Sequence, residues 1–282
     1  MKRLPDNACL YVVATPIGNL GDISERAVET LTRVDLIYAE DTRQTHKLLQ
    51  HFGIKNTIYQ LHKHNEGGQK TDIARQLDQG KSVAIVSDAG TPLIADPGYV
   101  TLAYLRERGY AVKVIPGCSA VIAALSISGL PSDNFQFIGF VPSKAKQRQD
   151  FLRQLQYCQQ TTVFFETPHR IKDCLADCLH IFGGQRQIFI GRELTKQFED
   201  SVLLPLSQAQ TWISADTKRQ KGEFVVVLSA GTETPPGDWQ ALARLLLAEN
   251  LSTKSIAAVV ANYTGENKKA VYQYVVSLNH RA

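Results

Sequence analysis

The hydrophobic positions of the first 115 residues alternate between short apolar runs and stretches with helical spacing. Four runs lack polar alternation and predict strands buried on both faces, and a fifth segment is extended: Leu10 to Ala14, Leu36 to Ala39, Ser82 to Val86, Ala111 to Ile115 and, as the fifth, Thr57 to Leu61. Apolar residues at helical spacing separate them, as at Ile23, Ala27 and Leu31. This alternation predicts a mostly parallel sheet covered by helices on both faces.

Capping signals predict where two of these helices begin. Asp22 stands three residues before Glu25, which resembles a capping box and predicts a helix start. Asp96-Pro97 combines a capping carboxylate with proline at the first helical position and predicts a second start.

The pattern changes after Pro116-Gly117. The segment from Cys118 to Ser128 has helical length but is apolar nearly all round, so we expect a buried helix between two halves. Further strands and helices follow: strands at Phe135 to Phe140, Thr161 to Phe165, Gln187 to Gly191 and Phe224 to Leu228, and helices at Pro168 to Phe182 and Ser207 to Ser214. The sequence therefore predicts an α/β chain with one α/β domain at residues 1–116 and a second at 117–231.

A helical tail is predicted at residues 238–282, after the linker-like segment Gly231 to Gly237. Three helical patterns occupy it, and the last two, joined by Tyr263 to Asn267, resemble a helix-turn-helix. A small helical cap explains the pattern equally well.

Composition narrows the class of protein without naming a function. The 282 residues carry a net charge of +4, which permits an anionic partner without requiring one. No apolar run reaches the roughly 18 residues of a membrane span, and the N-terminal residues lack the apolar core of a signal peptide. Five cysteines in such a chain predict reduced core thiols and a cytoplasmic protein.

Several familiar motifs fail on inspection. Gly67 to Thr71 lacks the spacing of a Walker A loop, and Gly117 to Val121 has valine where a nucleophile elbow needs glycine. No G-x-G-x-x-G follows a strand, which argues against dinucleotide binding. Val86 replaces the nucleophilic aspartate of D-x-D-G-T phosphatases. Cys174 and Cys178 share a helix face but form no C-x-x-C pair, so we expect no metal site.

The strongest functional signal is positional. Ligands bind outside the carboxyl ends of parallel strands, and four such ends carry small, bendable or acidic residues: Thr15 to Asn19, Glu40 to Arg43, Ser87 to Pro92 and Pro116 to Ser119. Asp88, beside glycine and threonine, is suited to receive a ligand ammonium group. Charges also follow the later strands, namely Glu166, Arg170, Arg192, Glu193 and Lys196, and Lys221-Gly222-Glu223 precedes the last strand. These charges could equally form a salt-bridged domain interface.

Basic residues cluster in two further segments, at Lys144 to Arg153 and at Lys218 to Lys221. Such clusters are usually solvated faces. Near a cleft they would also suit a polyanionic substrate bound through its phosphates.

Eight segments in order carry a resemblance to a known family: LYVVATPIGNLGDIS at 10–24, AEDTR at 39–43, HKHNE at 62–66, VSDAGTPLIADPG at 86–98, PGCSA at 116–120, FFETPHR at 164–170, RELTK at 192–196 and KGEFV at 221–225. Together they resemble the ribosomal RNA small subunit methyltransferase I family. That family is a branch of the tetrapyrrole methylase superfamily and 2′-O-methylates the ribose of a cytidine in 16S rRNA. The tail is similar to the helix-turn-helix region of that branch.

The resemblance implies two α/β domains, with S-adenosylmethionine in the cleft between them, and a homodimer acting on 16S rRNA of the small subunit. By similarity, the cofactor-binding residues are Pro16, Asp88, Ala89, Gly90, Thr91, Leu93, Ile94, Ser119, Ala120, Phe165, Glu193, Gly222 and Glu223. The chain departs from the wider superfamily by having Ser87-Asp88-Ala89 in place of G-D-P and by lacking its first glycine-rich turn. Both departures favour an RNA substrate over a porphyrin.

Methyl transfer to a ribose hydroxyl needs a group that takes the proton. We expect Asp41 or Glu40 to take it while Arg43 orients the ribose or phosphate, with Lys196 and Glu166 as the next candidates. For RNA contacts the predicted residues are Lys144, Lys146, Arg148 and Arg170. Two other functions stay open: a methyltransferase acting on a tetrapyrrole or other small molecule, and a non-catalytic RNA-binding protein.

Overall fold

The computed structural model describes residues 8–231 and 239–279. Two compact units divide the chain, the first spanning Met1–Ala230 and the second Gly231–Ala282. The two predicted α/β domains both lie in the first unit, so the boundary at residue 116 stays a prediction. Within the described ranges, no helix combines the length and apolar character that crossing a membrane would require.

Five parallel strands form the first sheet, in the order β3-β2-β4-β1-β5. The strands are β1 Leu10–Val13, β2 Leu36–Ala39, β3 Ile58–Gln60, β4 Val83–Val86 and β5 Val112–Ile115. The helices between them are α1 Glu25–Arg33, α2 Thr42–His51, α3 Glu66–Asp78 and α4 Tyr99–Glu107. One core cluster packs on each face, around Leu31 and Ile37 on one side and around Tyr38 and Leu77 on the other. The predicted parallel sheet is confirmed.

Both predicted helix starts are wrong. Ser24, not Asp22, caps α1, because its hydroxyl accepts a hydrogen bond from Ala27 N at 3.1 Å. α4 begins at Tyr99, two residues beyond the predicted Pro97, so Asp96 stays in the preceding loop. Asp96 therefore does not cap α4, and it lines a cavity between the two sheets instead.

The second sheet is mostly antiparallel, in the order β6-β7-β10-β8-β9. Its strands are β6 Phe135–Phe140, β7 Thr161–Glu166, β8 Gln187–Arg192, β9 Asp200–Pro205 and β10 Phe224–Leu228. The accompanying helices are α5 Ala120–Ser128, α6 Ala145–Gln154, α7 Ile171–Phe182 and α8 Leu206–Ala215. Sequence analysis missed β9 and α6. α6 and α7 pack over the core cluster around Phe164, and α5 covers the other face of the sheet.

Helix α5 differs from the prediction of full burial. Val121, Ala124 and Leu125 pack against the second sheet, but Ile122 and Ile127 are 53% and 52% exposed. A helix that is apolar all round thus covers the sheet with one face and leaves an apolar face open.

Residues 239–279, in the described part of the second unit, form three helices: α9 Trp239–Ala248, α10 Thr253–Thr264 and α11 Lys268–Asn279. They enclose a small core around Ala243, Ile256, Val260, Val271 and Val275. The three predicted helical patterns are confirmed, whereas most of the predicted linker, from residue 232 on, and residue 238 lie outside the described residues.

Candidate active site

The ends of β1, β4 and β5 are tied together into one rim. Thr15 N donates to Gly90 O at 2.9 Å, and Gly90 N donates back to Thr15 O at 3.0 Å. Thr91 Oγ1 donates to Cys118 O at 3.1 Å, which joins the loop after β4 to the turn after β5. Asp41 N donates to Asp88 Oδ1 at 2.9 Å, so all four predicted strand-end segments meet, as the parallel topology requires.

The loop after β4, residues 87–98, holds an unusual backbone conformation. Leu93 and Ala95 both have φ of 72°, a region that residues with side chains adopt rarely. Glu193 and Thr195, in the loop after β8, have φ of 49° and 67°. Such conformations cost about 1–3 kcal/mol each and persist where surrounding contacts enforce them, often at functional sites. Both loops border the same cavity.

Three carboxylates gather at this rim. Glu40, Asp88 and Asp96 each have a pKa raised above its ordinary value, mainly because partial burial in the cleft disfavours the charged form. Their mutual repulsion adds to the effect, since Asp96 and Asp88 raise the pKa of Glu40. The cluster therefore favours a positively charged ligand, which would relieve the repulsion.

Asp41 has a different environment from its neighbours. Its carboxylate accepts from Arg43 Nε at 3.1 Å and Arg43 Nη2 at 2.7 Å, and it also accepts from Arg43 N as the cap of α2. These hydrogen bonds lower the pKa of Asp41 to about 2. So acidic a group accepts a proton poorly, and neither Asp41 nor Arg43 borders either of the two cavities described here. The pair fits a structural role better than the predicted catalytic one.

The second sheet contributes an ion cluster from two loops. Lys196 Nζ donates to Glu193 Oε1 at 2.8 Å and to Glu223 Oε2 at 2.9 Å. Although partial burial opposes it, these bonds raise the pKa of the Lys196 ammonium, so it stays charged and cannot act as a base. The Lys196 stem packs so closely on Gly18 of the first rim that a Cβ there would overlap it. Lys196 thus joins loops from both sheets.

Gly222 lets the Glu193 carboxylate approach the backbone. Its φ is +93°, and a Cβ at that position would lie 2.6 Å from Glu193 Cδ and 2.7 Å from Oε1. The Glu223 amide beside it donates to Glu193 Oε1 at 2.8 Å. Gly222 itself borders no cavity described here, so it acts by making room for Glu193.

Two adjoining cavities lie between the sheets. The first, of about 400 Å³, is lined from the first sheet by Glu40, Asp88, Asp96 and the loop after β4, and from the second by Phe165, Glu193 and Glu223. The second, of about 430 Å³, is bordered by the Thr15–Gly18 loop and by one face of α2. Ile17, Asp88, Ala89, Lys196 and Glu223 border both. Both volumes fall in the usual range for small-molecule sites.

The structure sorts the predicted cofactor residues. Those that line the first cavity are Asp88, Ala89, Gly90, Thr91, Ile94, Ser119, Ala120, Phe165, Glu193 and Glu223. Pro16 borders only the second cavity, and Leu93 and Gly222 border neither. Sequence reasoning missed Ile17 and Phe140, and it misread Asp96 as a helix cap. The signal for Asp96 was its carboxylate in a strand-end loop.

Two of the predicted second-sheet residues have internal roles. The Glu166 side chain is fully buried and paired with Arg170, with 3.2 Å between Oε1 and Nε. Arg170 also donates to Val141 O. Glu166 borders the first cavity, yet its carboxylate serves this pair and the Thr167 amide. These contacts argue against the predicted catalytic role for Glu166 and against RNA binding by Arg170.

The predicted RNA contacts divide in the same way. Lys144 and Lys146 are exposed at the start of α6. The Arg148 side chain is only 5% exposed and is paired with Asp177 through a 2.7 Å contact, so it cannot reach an RNA. The thiols are also mixed: Cys9, Cys174 and Cys178 are core residues, while Cys118 and Cys158 are partly exposed.

Comparison with known families identifies the larger unit and the tail separately. The family described as Tetrapyrrole (Corrin/Porphyrin) Methylases matches residues 9–210. The RsmI C-terminal HTH domain matches residues 233–279. The tail is thus similar to a domain described as a helix-turn-helix, and the helix-turn-helix interpretation of the tail stays a prediction.

Curated relatives cover nearly the whole chain. A ribosomal RNA small subunit methyltransferase I from Vibrio cholerae is 46% identical over 97% of this chain and 96% of its own length. Its counterpart from Pseudomonas aeruginosa is 46% identical over 94% of this chain and 95% of its own length. Among solved structures, the methyltransferase CobJ aligns with a TM-score of 0.59 at 16% identity, over 82% of this chain and 97% of that one. A uroporphyrin-III C-methyltransferase from Thermus thermophilus, complexed with S-adenyl homocysteine, gives 0.53 at 17% identity, over 78% and 96%. The fold is that of the tetrapyrrole methylases, and the chain belongs to their ribosomal RNA small subunit methyltransferase I family.

Proposed function

We propose that this protein transfers a methyl group from S-adenosylmethionine to the 2′-hydroxyl of a cytidine ribose in 16S rRNA of the small ribosomal subunit. The observation that carries the proposal is the acidic first cavity, closed by loops from both sheets, in a chain 46% identical to relatives with that enzyme's name. The open second cavity beside it leaves room for an acceptor.

The residues of the first cavity fit S-adenosylmethionine. The cofactor carries a sulfonium and an ammonium charge, and a cation beside Glu40, Asp88 and Asp96 would offset the burial and mutual repulsion that raise the pKa values of these carboxyl groups. Apolar walls from Ile94 and Phe165 suit the adenine ring. When bound, the cofactor supplies an electrophilic methyl group for an in-line displacement.

Asp88 is the group best placed to take the proton of the ribose hydroxyl. It borders both cavities, and its raised pKa makes it a better base than Asp41. One Asp88 oxygen accepts from Asp41 N at 2.9 Å, which fixes the carboxylate. Glu40 and Asp96 then face the cationic end of the cofactor, and Lys196 holds Glu193 and Glu223 in place.

The direct test supplies labelled S-adenosylmethionine to small subunits from a strain that lacks the enzyme. Label in an alkali-resistant 2′-O-methyl position supports the proposal. Label on a base would show that the ribose hydroxyl is not the acceptor. Label only on an added tetrapyrrole would show that the substrate is not an RNA. Calorimetric binding of S-adenosylmethionine without any transfer would indicate an RNA-binding protein that has lost catalysis.

We also propose that the protein works in the cytoplasm as a homodimer. The five cysteines are free thiols, as expected in a reducing compartment. The open face of α5 places Ile122 and Ile127 in solvent, and the edge strand β5 adds Val114, which is 60% exposed. A second copy covering this apolar surface would explain it. Sedimentation of the wild type against Ile122→Glu distinguishes a dimer, which the variant should dissociate, from a monomer.

A further inference from the structure

The second cavity differs from the first in charge. Six carboxyl groups and one ammonium group border the first cavity, whereas the second has Asp88 and Glu223 balanced by Lys47 and Lys196. An anionic ligand would meet strong repulsion in the first cavity and little in the second. The first cavity therefore suits a cationic ligand, whereas the second can also hold an anionic one.

One face of helix α2 forms the outer wall of the second cavity. Gln44, Lys47 and Leu48 follow one another at helical spacing on this face. Gln44 and Lys47 are exposed, and across the described part of the chain neither side chain has a hydrogen-bond or ion-pair partner. The Gln44 amide can pair with the edge of a base, and the Lys47 ammonium group can pair with a phosphate. The apolar side chains of Leu48 and Leu20 beside them can contact the surface of a ring.

The shared wall fixes where two ligands would meet. Asp88 borders both cavities, and so do Ile17 and Ala89. Ligands that fill the two cavities would therefore come together beside the Asp88 carboxylate. The two cavities could hold a methyl donor and an acceptor at the same time.

We infer that the second cavity binds the acceptor nucleotide, extruded from its RNA strand, with Lys47 at the adjoining phosphate and Gln44 at the edge of the base. The inference rests on the proposed function and adds to it the subsite that receives the RNA. A nucleotide can fill a cavity of about 430 Å³ with its base only when that base has left its stack, and sequence-specific RNA recognition mostly targets such splayed-out bases. Gln44 can accept from the cytosine amino group with its oxygen and donate to the ring nitrogen with its amide.

The test compares Lys47→Met and Gln44→Leu with the matched control Lys55→Met. Lys55 is an exposed lysine just beyond α2 that borders neither cavity. The Kd for small subunits is measured by filter binding at several salt concentrations, and the Kd for S-adenosylmethionine by calorimetry. We expect both variants to weaken subunit binding roughly tenfold, about the effect of one lost polar contact of 1.4 kcal/mol. Lys47→Met should also lower the slope of log Kd against log salt by roughly 0.7–0.9, as one lost phosphate contact does.

Each possible outcome of this test supports or overturns the assignment of the second cavity to the acceptor nucleotide. Subunit Kd values within twofold of wild type in both variants, while the wild type methylates subunits, would overturn the inference and leave the proposed function intact. Equal weakening of S-adenosylmethionine binding would assign the second cavity to the cofactor instead. A wild type that transfers no methyl group to subunits would overturn both. A loss in Lys55→Met equal to that in Lys47→Met would show a general charge effect and not a subsite.

Discussion

Replacing Gly222 by alanine tests whether the close approach of Glu193 to the backbone shapes the cofactor cavity. The new Cβ would lie 2.6 Å from Glu193 Cδ, well inside contact distance, on a backbone with φ of +93°. The left-handed conformation alone costs an L residue about 1–2 kcal/mol. Displacing Glu193 adds about 1 kcal/mol for each hydrogen bond it loses, and two hold Oε1, from Lys196 and from the Glu223 amide. We therefore expect Gly222→Ala to lower the free energy of unfolding by about 2–4 kcal/mol.

Alanine substitutions at two other glycines separate the cost of backbone strain from the cost of displacing Glu193. Gly53 has φ of +67° with nothing within 4 Å of its Cβ position, so Gly53→Ala measures backbone strain alone. Gly67 lies in α3 with open space around it and no positive φ, so Gly67→Ala should be neutral or slightly stabilising. Denaturant unfolding gives the free energy of each variant, and calorimetry gives its affinity for S-adenosylmethionine.

Only Gly222→Ala should weaken S-adenosylmethionine binding, by roughly tenfold, because Glu193 lines the first cavity. If Gly222→Ala matched Gly53→Ala in stability and bound S-adenosylmethionine like the wild type, Glu193 would not depend on this glycine and the reasoning would be refuted.

Three further changes probe the site and its support. Asp88→Asn should slow single-turnover methylation by about 10²–10⁴-fold while Asp41→Asn slows it far less, and the reverse order would restore Asp41 as the base. Affinity for S-adenosylmethionine should fall as pH drops through the raised pKa values of Glu40, Asp88 and Asp96, and binding in mildly acidic buffer should release protons. Calorimetry in two buffers of different ionisation enthalpy measures the number of protons released. Binding without proton release would contradict the charge argument. Arg148→Ala should destabilise the protein by about 3 kcal/mol in denaturant unfolding, since it leaves the Asp177 carboxylate without its cation and with only the hydrogen bond from Gln149. A loss below about 1 kcal/mol would mark the ion pair as unimportant.

Much of the first sheet could be predicted because β1, β2 and β4 are short apolar runs with little exposure on either face. The prediction that β5 is buried on both faces is wrong, because β5 is an edge strand with exposed positions. Every predicted strand from Leu10 to Ile115 appears. The second sheet was harder, since β9 is an edge strand with polar positions and a terminal proline, Pro205. Helix α6 was not predicted because its segment was interpreted only as a cluster of basic residues. A charge pattern cannot show that Arg148 turns inward to Asp177 while Lys144 and Lys146 point outward.

The site was predictable in position and less so in detail. Parallel topology alone brings the strand ends together, so Glu40 and Asp88 were found from their place in the sequence. Two neighbouring carboxylates in one motif, Glu40 and Asp41, proved to have opposite pKa shifts. That difference depends on where the Arg43 side chain turns, which no spacing rule supplies. Asp96 escaped notice because an Asp-Pro pair is also an ordinary helix start.

The position of Lys196 against Gly18 has a consequence for how the protein tolerates cofactor depletion. Since the first cavity has walls from both sheets, any ligand held there binds the associated halves and not the separated ones. By mass action, cofactor at 100 times its Kd would add about 2.7 kcal/mol to the free energy of separating or unfolding them. The resistance of the chain to proteases would then rise and fall with the concentration of the methyl donor.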